Sequence, residues 1–146
     1  MDNYFSYGSN MNPSQMEARC NGARSLGRAY LPGAQVVMNE RGVATIIEAD
    51  ADVWCWGVLW SVSVGDIRAL DRYEGVESGF YSKARRSVYI DGSPLENVLI
   101  YLARDSALPG VYRSRLGYLE GIVEGAKAFD LPEYYIHTLE SLAVGV

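Results

Sequence analysis

Val53-Trp54-Cys55-Trp56-Gly57-Val58-Leu59-Trp60 is the stretch on which the reading of the fold turns. A strand with one wet face alternates apolar and polar residues. This one is apolar on both faces, which predicts a central strand buried on two sides. Gly57 in its middle predicts a bulge or a close approach of another backbone.

Working outward, the period changes after residue 60. Ile67, Leu70 and Tyr73 recur at helical spacing, so Val64 to Tyr73 reads as a helix, with Gly75 as its C-terminal glycine. Tyr81 to Ile90 and Asn97 to Arg104 read as strands around Asp91-Gly92-Ser93-Pro94, a hairpin with a slightly extended loop. Tyr112 to Phe129 reads as the longest helix, with Leu116, Leu119, Ile122 and Val123 on its apolar side. Pro132 opens a last helix through Leu142. On the other side, Val43 to Ile47, Gln35 to Met38 and Arg24 to Tyr30 read as strands, the last two separated by Pro32-Gly33. Tyr4 to Tyr7 reads as the first strand. It runs into Gly8-Ser9-Asn10, and Asn12 then caps a short helix, with Pro13 at its first position and Gln15 reaching back to close a capping box. That helix ends near Asn21-Gly22. Strands and helices mix without strict alternation, which disfavours a doubly wound parallel sheet. The expectation is a single α+β domain over residues 1–146, with a mixed, largely antiparallel, barrel-like sheet and flanking helices.

The 146 residues are enough to bury roughly 68–70% of the unfolded surface without staples. A formal net charge of −5 argues against a nucleic-acid surface, and no nucleic-acid partner is expected. The short basic clusters Lys83-Ala84-Arg85-Arg86 and Arg113-Ser114-Arg115 read as solvated faces. The N-terminus lacks a basic region followed by an apolar run, and no stretch is long and apolar enough to span a bilayer. The expectation is therefore a cytoplasmic protein with no membrane partner. Two cysteines, Cys20 and Cys55, and one histidine, His137, predict neither a disulfide framework nor a metal site. Cys55, between two tryptophans, reads as core.

Two segments carry candidate chemistry, each with two readings. Tyr7-Gly8-Ser9-Asn10 is either a plain strand-to-helix turn or a small anion cradle. In the cradle, Gly8 takes positive φ and successive N–H groups point outward beside a helix N-terminus. It has too few glycines for a phosphate loop or a dinucleotide fingerprint. Within Leu70-Asp71-Arg72-Tyr73-Glu74-Gly75-Val76-Glu77-Ser78-Gly79-Phe80-Tyr81, Glu74 lies at a helix C-terminus. It is either an ordinary exposed glutamate or, if partly buried, a carboxyl of raised pKa suited to proton transfer near neutrality. Asp71 and Glu77 read as solvated, and Tyr81 as turning inward. Ser9 is in no nucleophile elbow.

YGSNM at 7–11, GVATI at 42–46, VWCWGVLW at 53–60, LDRYEGVESGFY at 70–81 and LPEYY at 131–135 together resemble the γ-glutamylcyclotransferase family, in its order and over most of the chain. The combination of YGSN with EGV-x-SG-x-Y is specific. The resemblance implies a small barrel-like α+β domain with a pocket at one end. It also implies release of 5-oxoproline from a small-molecule γ-glutamyl substrate without a cofactor. Residue by residue, it implies that Tyr7, Gly8, Ser9 and Asn10 hold the γ-glutamyl moiety, that Glu74 is the catalytic acid/base, and that Tyr81 and Tyr135 line the pocket, with Tyr134 the alternative to Tyr135. The loop's N–H groups hold either the α-carboxylate or the oxyanion. The leaving group (an amino acid, a cysteinyl peptide, an amine or a γ-glutamyl-protected intermediate) and the oligomeric state stay open. A module that binds such compounds without turning them over is the alternative to an enzyme.

Overall fold

A computed structural model describes residues 1–103 and 116–142. The predicted central strand is β5, Trp54–Val62, and it does lie between two partners. On one side runs β1, Asp2–Ser6, antiparallel, with Phe5 opposite Leu59. On the other runs β2, Arg24–Pro32, also antiparallel, with Ala29 opposite Gly57. β2 pairs next with β6, Tyr81–Ile90, and β6 with β7, Ser93–Ala103. β7 returns to β1 through a parallel pair, Tyr4 opposite Leu99, and the five strands close a barrel. Closure leaves the barrel itself no free edge. β3, Ala34–Met38, and β4, Ala44–Glu48, form a separate antiparallel pair.

Gly57 allows the close approach. A Cβ there would lie 2.2 Å from the carbonyl oxygen of Ser6 and 2.7 Å from the Phe5 ring. The bulge is elsewhere, between Ser25 and Gly27 of β2. The two-sided burial of β5 holds from Gly57 onward. Its first residues differ: Trp54 is exposed and stacks on Tyr30, ring centroids 4.0 Å apart. Cross-strand ring contact compensates there for the missing second layer.

The 64–73 helix appears as α2, Val64–Tyr73. Ser63 and Asp66 close a capping box at its start. At its end Gly75, with φ 65°, makes a Schellman turn, in which Val76 N–H bonds the Asp71 carbonyl and Gly75 N–H that of Arg72. The first helix, α1 (Pro13–Arg19), is capped by Asn12, whose side chain accepts from Ser14 and Gln15 N–H. Gln15 does not close the box, because its Oε1 accepts from Arg19 instead.

The 91–94 loop is tighter than expected. Asp91 and Gly92, at φ 49° and 80°, make a two-residue turn, and Pro94 already pairs with Tyr89. The surplus residue is absorbed higher up, where Asn97 has φ 61° and the β6–β7 register shifts. The predicted long helix appears as α3, Tyr118–Ala128; residues 112–115, with the basic cluster 113–115, lie outside the described residues. Leu116 is fully exposed and Gly117, at φ 85°, precedes the helix, so Leu116 is not on its buried side. The last helix, α4, spans Glu133–Ser141. The core joins both layers: Phe5, Leu59 and Leu99 from the barrel meet Leu70, Ile122 and Leu139 from the helices. No described helix is long and apolar enough to cross a membrane.

Candidate active site

β1 ends at Ser6 because the chain must turn to enter a single 3₁₀ turn, Ser9–Met11, which leads directly into α1. The turn is closed by Met11 and Asn12 N–H to the Gly8 and Ser9 carbonyls. The N–H groups of Gly8, Ser9 and Asn10 find no acceptor among the described residues. The three residues line a cleft of about 280 Å³. Gly8 has φ −122°, so positive φ is not what the loop asks of it. A Cβ there would sit 3.6 Å from that of Ala44 and 3.9 Å from Tyr118 Oη, both ordinary contact distances.

Glu74 enters the same cleft from the end of α2, held by the Schellman turn. Burial pushes its carboxyl up to about 7, while Arg19 and Arg41 pull it the other way. Asn10 Nδ2 lies 3.4 Å from Glu74 Oε1 and 2.9 Å from the Tyr4 hydroxyl. Cradle and carboxyl, 64 residues apart in sequence, thus share one hydrogen-bonded group.

The walls are phenolic. Tyr81 lines the cleft and donates its hydroxyl to the Ala44 carbonyl at 3.0 Å. Tyr118, from α3, accepts the Ala44 N–H at 2.9 Å. Tyr7 donates to the Tyr101 carbonyl. Burial raises the pKa of Tyr4, Tyr7, Tyr81 and Tyr101, so these phenols stay neutral. Arg41, Phe80 and Tyr73 complete the mouth.

The structure gathers Tyr7, Gly8, Ser9, Asn10, Glu74 and Tyr81 into this cleft. It does not bring Tyr135 there. Tyr135 is buried with its hydroxyl 3.5 Å from Cys55 Sγ, and Tyr134 accepts from Trp56 Nε1 on the exterior. Asp71 is not simply solvated either. It accepts from the Tyr101 hydroxyl at 2.6 Å and from Lys83 at 3.0 Å. Glu77 is exposed, as expected. Burial pushes the thiols of Cys20 and Cys55 up to about 11 and about 12. Neither cysteine lines the cleft.

Sequence reasoning passed over Tyr4, Arg19, Arg41, Tyr73, Tyr101 and Tyr118. Only Arg19 had a local signal: it stands one helical turn after Gln15, on the helix that leaves the cradle.

The chain matches the AIG2-like family over residues 54–139. It is 31% identical to mouse γ-glutamylcyclotransferase over 151 residues, covering 95% of this chain and 77% of the mouse protein. Against the human γ-glutamylcyclotransferase the match is 31% over 88 residues, which is 53% of this chain and 46% of the human one. A solved γ-glutamyl cyclotransferase structure superposes with a TM-score of 0.84 at 27% identity, covering 96% of this chain and 86% of that one.

Proposed function

Because the chain belongs to the γ-glutamylcyclotransferase, AIG2-like family, we propose that it releases 5-oxoproline from a γ-glutamyl amino acid or γ-glutamyl amine, with Glu74 as general acid/base. The observation that carries this is the Glu74 carboxyl, half-buried in the cleft, raised to about 7 and touching the Asn10 amide.

The substrate brings its own nucleophile. Its α-amine lies a few bonds from the γ-carbonyl, and closing a five-membered ring joins the two. Holding the chain folded in that geometry supplies up to about 7–11 kcal/mol of the barrier. The amine arrives as ammonium and cannot attack. Glu74, ionised in about half the molecules at neutral pH, takes its proton. The nitrogen then adds to the carbonyl carbon, and the new C–N bond makes a tetrahedral oxyanion. As that collapses, the scissile C–N bond breaks, Glu74 returns the proton to the leaving amine, and the ring nitrogen gives its second proton to the carboxylate so regenerated, which passes it on to the released amine. The open N–H groups of residues 8–10 hold the α-carboxylate or the oxyanion. One such donor on an oxyanion is worth about 3–4 kcal/mol. Tyr7 and Tyr81, as neutral phenols, shape the pocket around the glutamyl chain.

The test is a panel of γ-glutamyl compounds assayed for 5-oxoproline. The wild-type protein turns over at least one. Glu74→Gln keeps the fold and most of the affinity but loses at least a thousandfold in rate, about the size of a removed acid/base. Cyclisation by that variant within about tenfold of wild type rules Glu74 out as the base.

A further inference from the structure

Arg19 is the last residue of α1, and the proton transfers above make no use of it. Its guanidinium is nonetheless held on every side. Nη1 donates to Ser9 Oγ at 3.2 Å and also to Asn10 Oδ1. Nη2 donates to Gln15 Oε1 at 2.6 Å. The guanidinium carbon lies 3.2 Å from the centre of the Tyr73 ring, the residue just before Glu74.

The consequence runs through Asn10. A guanidinium has donors only, so the end of the amide that meets it must be the oxygen. With Oδ1 on Arg19, the Nδ2 end is turned toward Tyr4 and Glu74. A flipped Asn10 would set oxygen against carboxylate and nitrogen against guanidinium, two repulsive contacts. We infer that Arg19 is a positioning residue: it locks the orientation of Asn10 so that an N–H always faces Glu74, and it joins the cradle to the α2 terminus that carries the carboxyl. The inference rests on the proposed reaction for its catalytic meaning, but the effect on Glu74 is independent of any substrate.

Among the described residues, the charged and titratable groups that face Glu74 are Arg19 from α1, Arg41 from the turn between β3 and β4, Tyr4, Tyr81 and Tyr101 from β1, β6 and β7, and Tyr7 from the loop after β1. The phenols are neutral across the working range, and Arg41 is unchanged in Arg19 variants. A change at residue 19 is therefore readable at Glu74.

The experiment follows the Glu74 side-chain carboxyl by carbon-13 NMR from pH 5 to 9 in folded wild-type, Arg19→Gln and Arg19→Lys proteins. Arg19→Gln loses both the charge and the lock, and its midpoint moves up by about one pH unit. The acidic limb of kcat/KM moves with it, so rate lost at pH 7 is regained at pH 8.5. Arg19→Lys keeps the charge but not the fork that spans Ser9, Asn10 and Gln15. Its midpoint still moves up, by about half the Arg19→Gln step, because the Asn10 amide is freed, and KM rises several-fold. A midpoint within about 0.3 unit of wild type in this variant would assign the effect to charge alone and overturn the lock. A strut that served only the fold would leave both midpoints unchanged. A midpoint within about 0.3 unit of wild type in folded Arg19→Gln overturns the inference. Gln15→Ala is the milder variant should Arg19→Gln not fold. It removes one acceptor of the guanidinium at a half-buried helix position, and it shifts the same midpoint upward by a smaller step; no shift there overturns the inference equally. Absence of turnover on every γ-glutamyl compound would sink the proposed reaction and leave this titration standing.

Discussion

Glu74 is held in a state that weakens the fold. Its ordinary value is 4.5, and burial raises it to about 7 in the folded protein. Below pH 4.5 both folded and unfolded chains carry the proton, and the carboxyl imposes no penalty. Between the two values the folded state binds more protons than the unfolded state, so stability falls as pH rises. Above 7 the full penalty stands, roughly 3 kcal/mol at about 1.36 kcal/mol per unit. Glu74→Gln, neutral at every pH, is therefore more stable than wild type at pH 8, by about 2 kcal/mol once partial exposure is discounted. The advantage vanishes near pH 4.5. Denaturant titrations of both proteins at the two pH values measure it, and an advantage independent of pH would mean that the ionised carboxyl is not its source. Position 74 is legible in the sequence because Gly75 marks a helix end and the adjoining motif is local. Tyr135 is a different case. LPEYY carries two adjacent tyrosines on a helix, and nothing local says that one points to Cys55 and the other to Trp56. Of the tyrosines in the cleft, Tyr4, Tyr101 and Tyr118, which carry no local signal, come from three distant elements.

At the scale of elements, the cradle is a seam between β1 and α1, and α3 lies across its back. Gly125 lets α3 come that close: a Cβ there would stand 2.6 Å from the Asn12 nitrogen and 2.6 Å from the Met11 carbonyl carbon. Backbone cannot step aside as a side chain can. Gly125→Ala therefore pushes α3 off the turn, costs about 2–3 kcal/mol of stability, and weakens substrate binding through the displaced cradle. Gly121 is the control on the same helix. A Cβ there meets only Gln15 Nε2 at 3.4 Å, the far end of a flexible side chain. Gly121→Ala is neutral or stabilising, by up to about 1 kcal/mol of helix propensity. Thermal melts and KM for the two variants decide it, and equal effects would refute the docking role of Gly125. Most elements were legible from period and punctuation; α2 falls on the predicted residues. The misreadings share one physical cause. Leu116 fits a helical apolar spacing, but Gly117 at positive φ redirects the chain before the helix starts. Pro94 suggests a loop, but beside a two-residue turn it enters the strand at once. In both cases backbone conformation at one residue overrode the pattern around it.

For the whole molecule, the decisive event is closure. Tyr4 meets Leu99 in the parallel contact that seals the barrel, and no local pattern announces a pair 95 residues apart. A barrel-like sheet was legible from the mixture of elements; the strand order β1-β5-β2-β6-β7 was not. Closure brings Tyr4 and Tyr101 edge to face at 5.7 Å, over the cleft into which α2 delivers Glu74. It also decides which chemistry the site holds. Among the described residues, the cleft contains one carboxyl of raised pKa, phenols kept neutral, and Ser9, whose hydroxyl accepts from Arg19. Both thiols lie elsewhere and are held protonated. His137 is exposed on α4, 3.7 Å from Glu140. No side chain here is an activated nucleophile of the kind that pairs with a base, so the nucleophile is expected from the substrate. An N-acetylated γ-glutamyl compound, whose α-nitrogen can no longer attack, should give no turnover. The free amine should give 5-oxoproline and no glutamate. A hydrolase using Glu74 to activate water would behave in the opposite way, since water attacks whether or not the amine is blocked. Running the reaction in oxygen-18 water separates the two: cyclisation incorporates no solvent oxygen into the product, and hydrolysis places one label in the γ-carboxyl of glutamate. Labelled glutamate as the first product would overturn the intramolecular mechanism while leaving Glu74 its role as base.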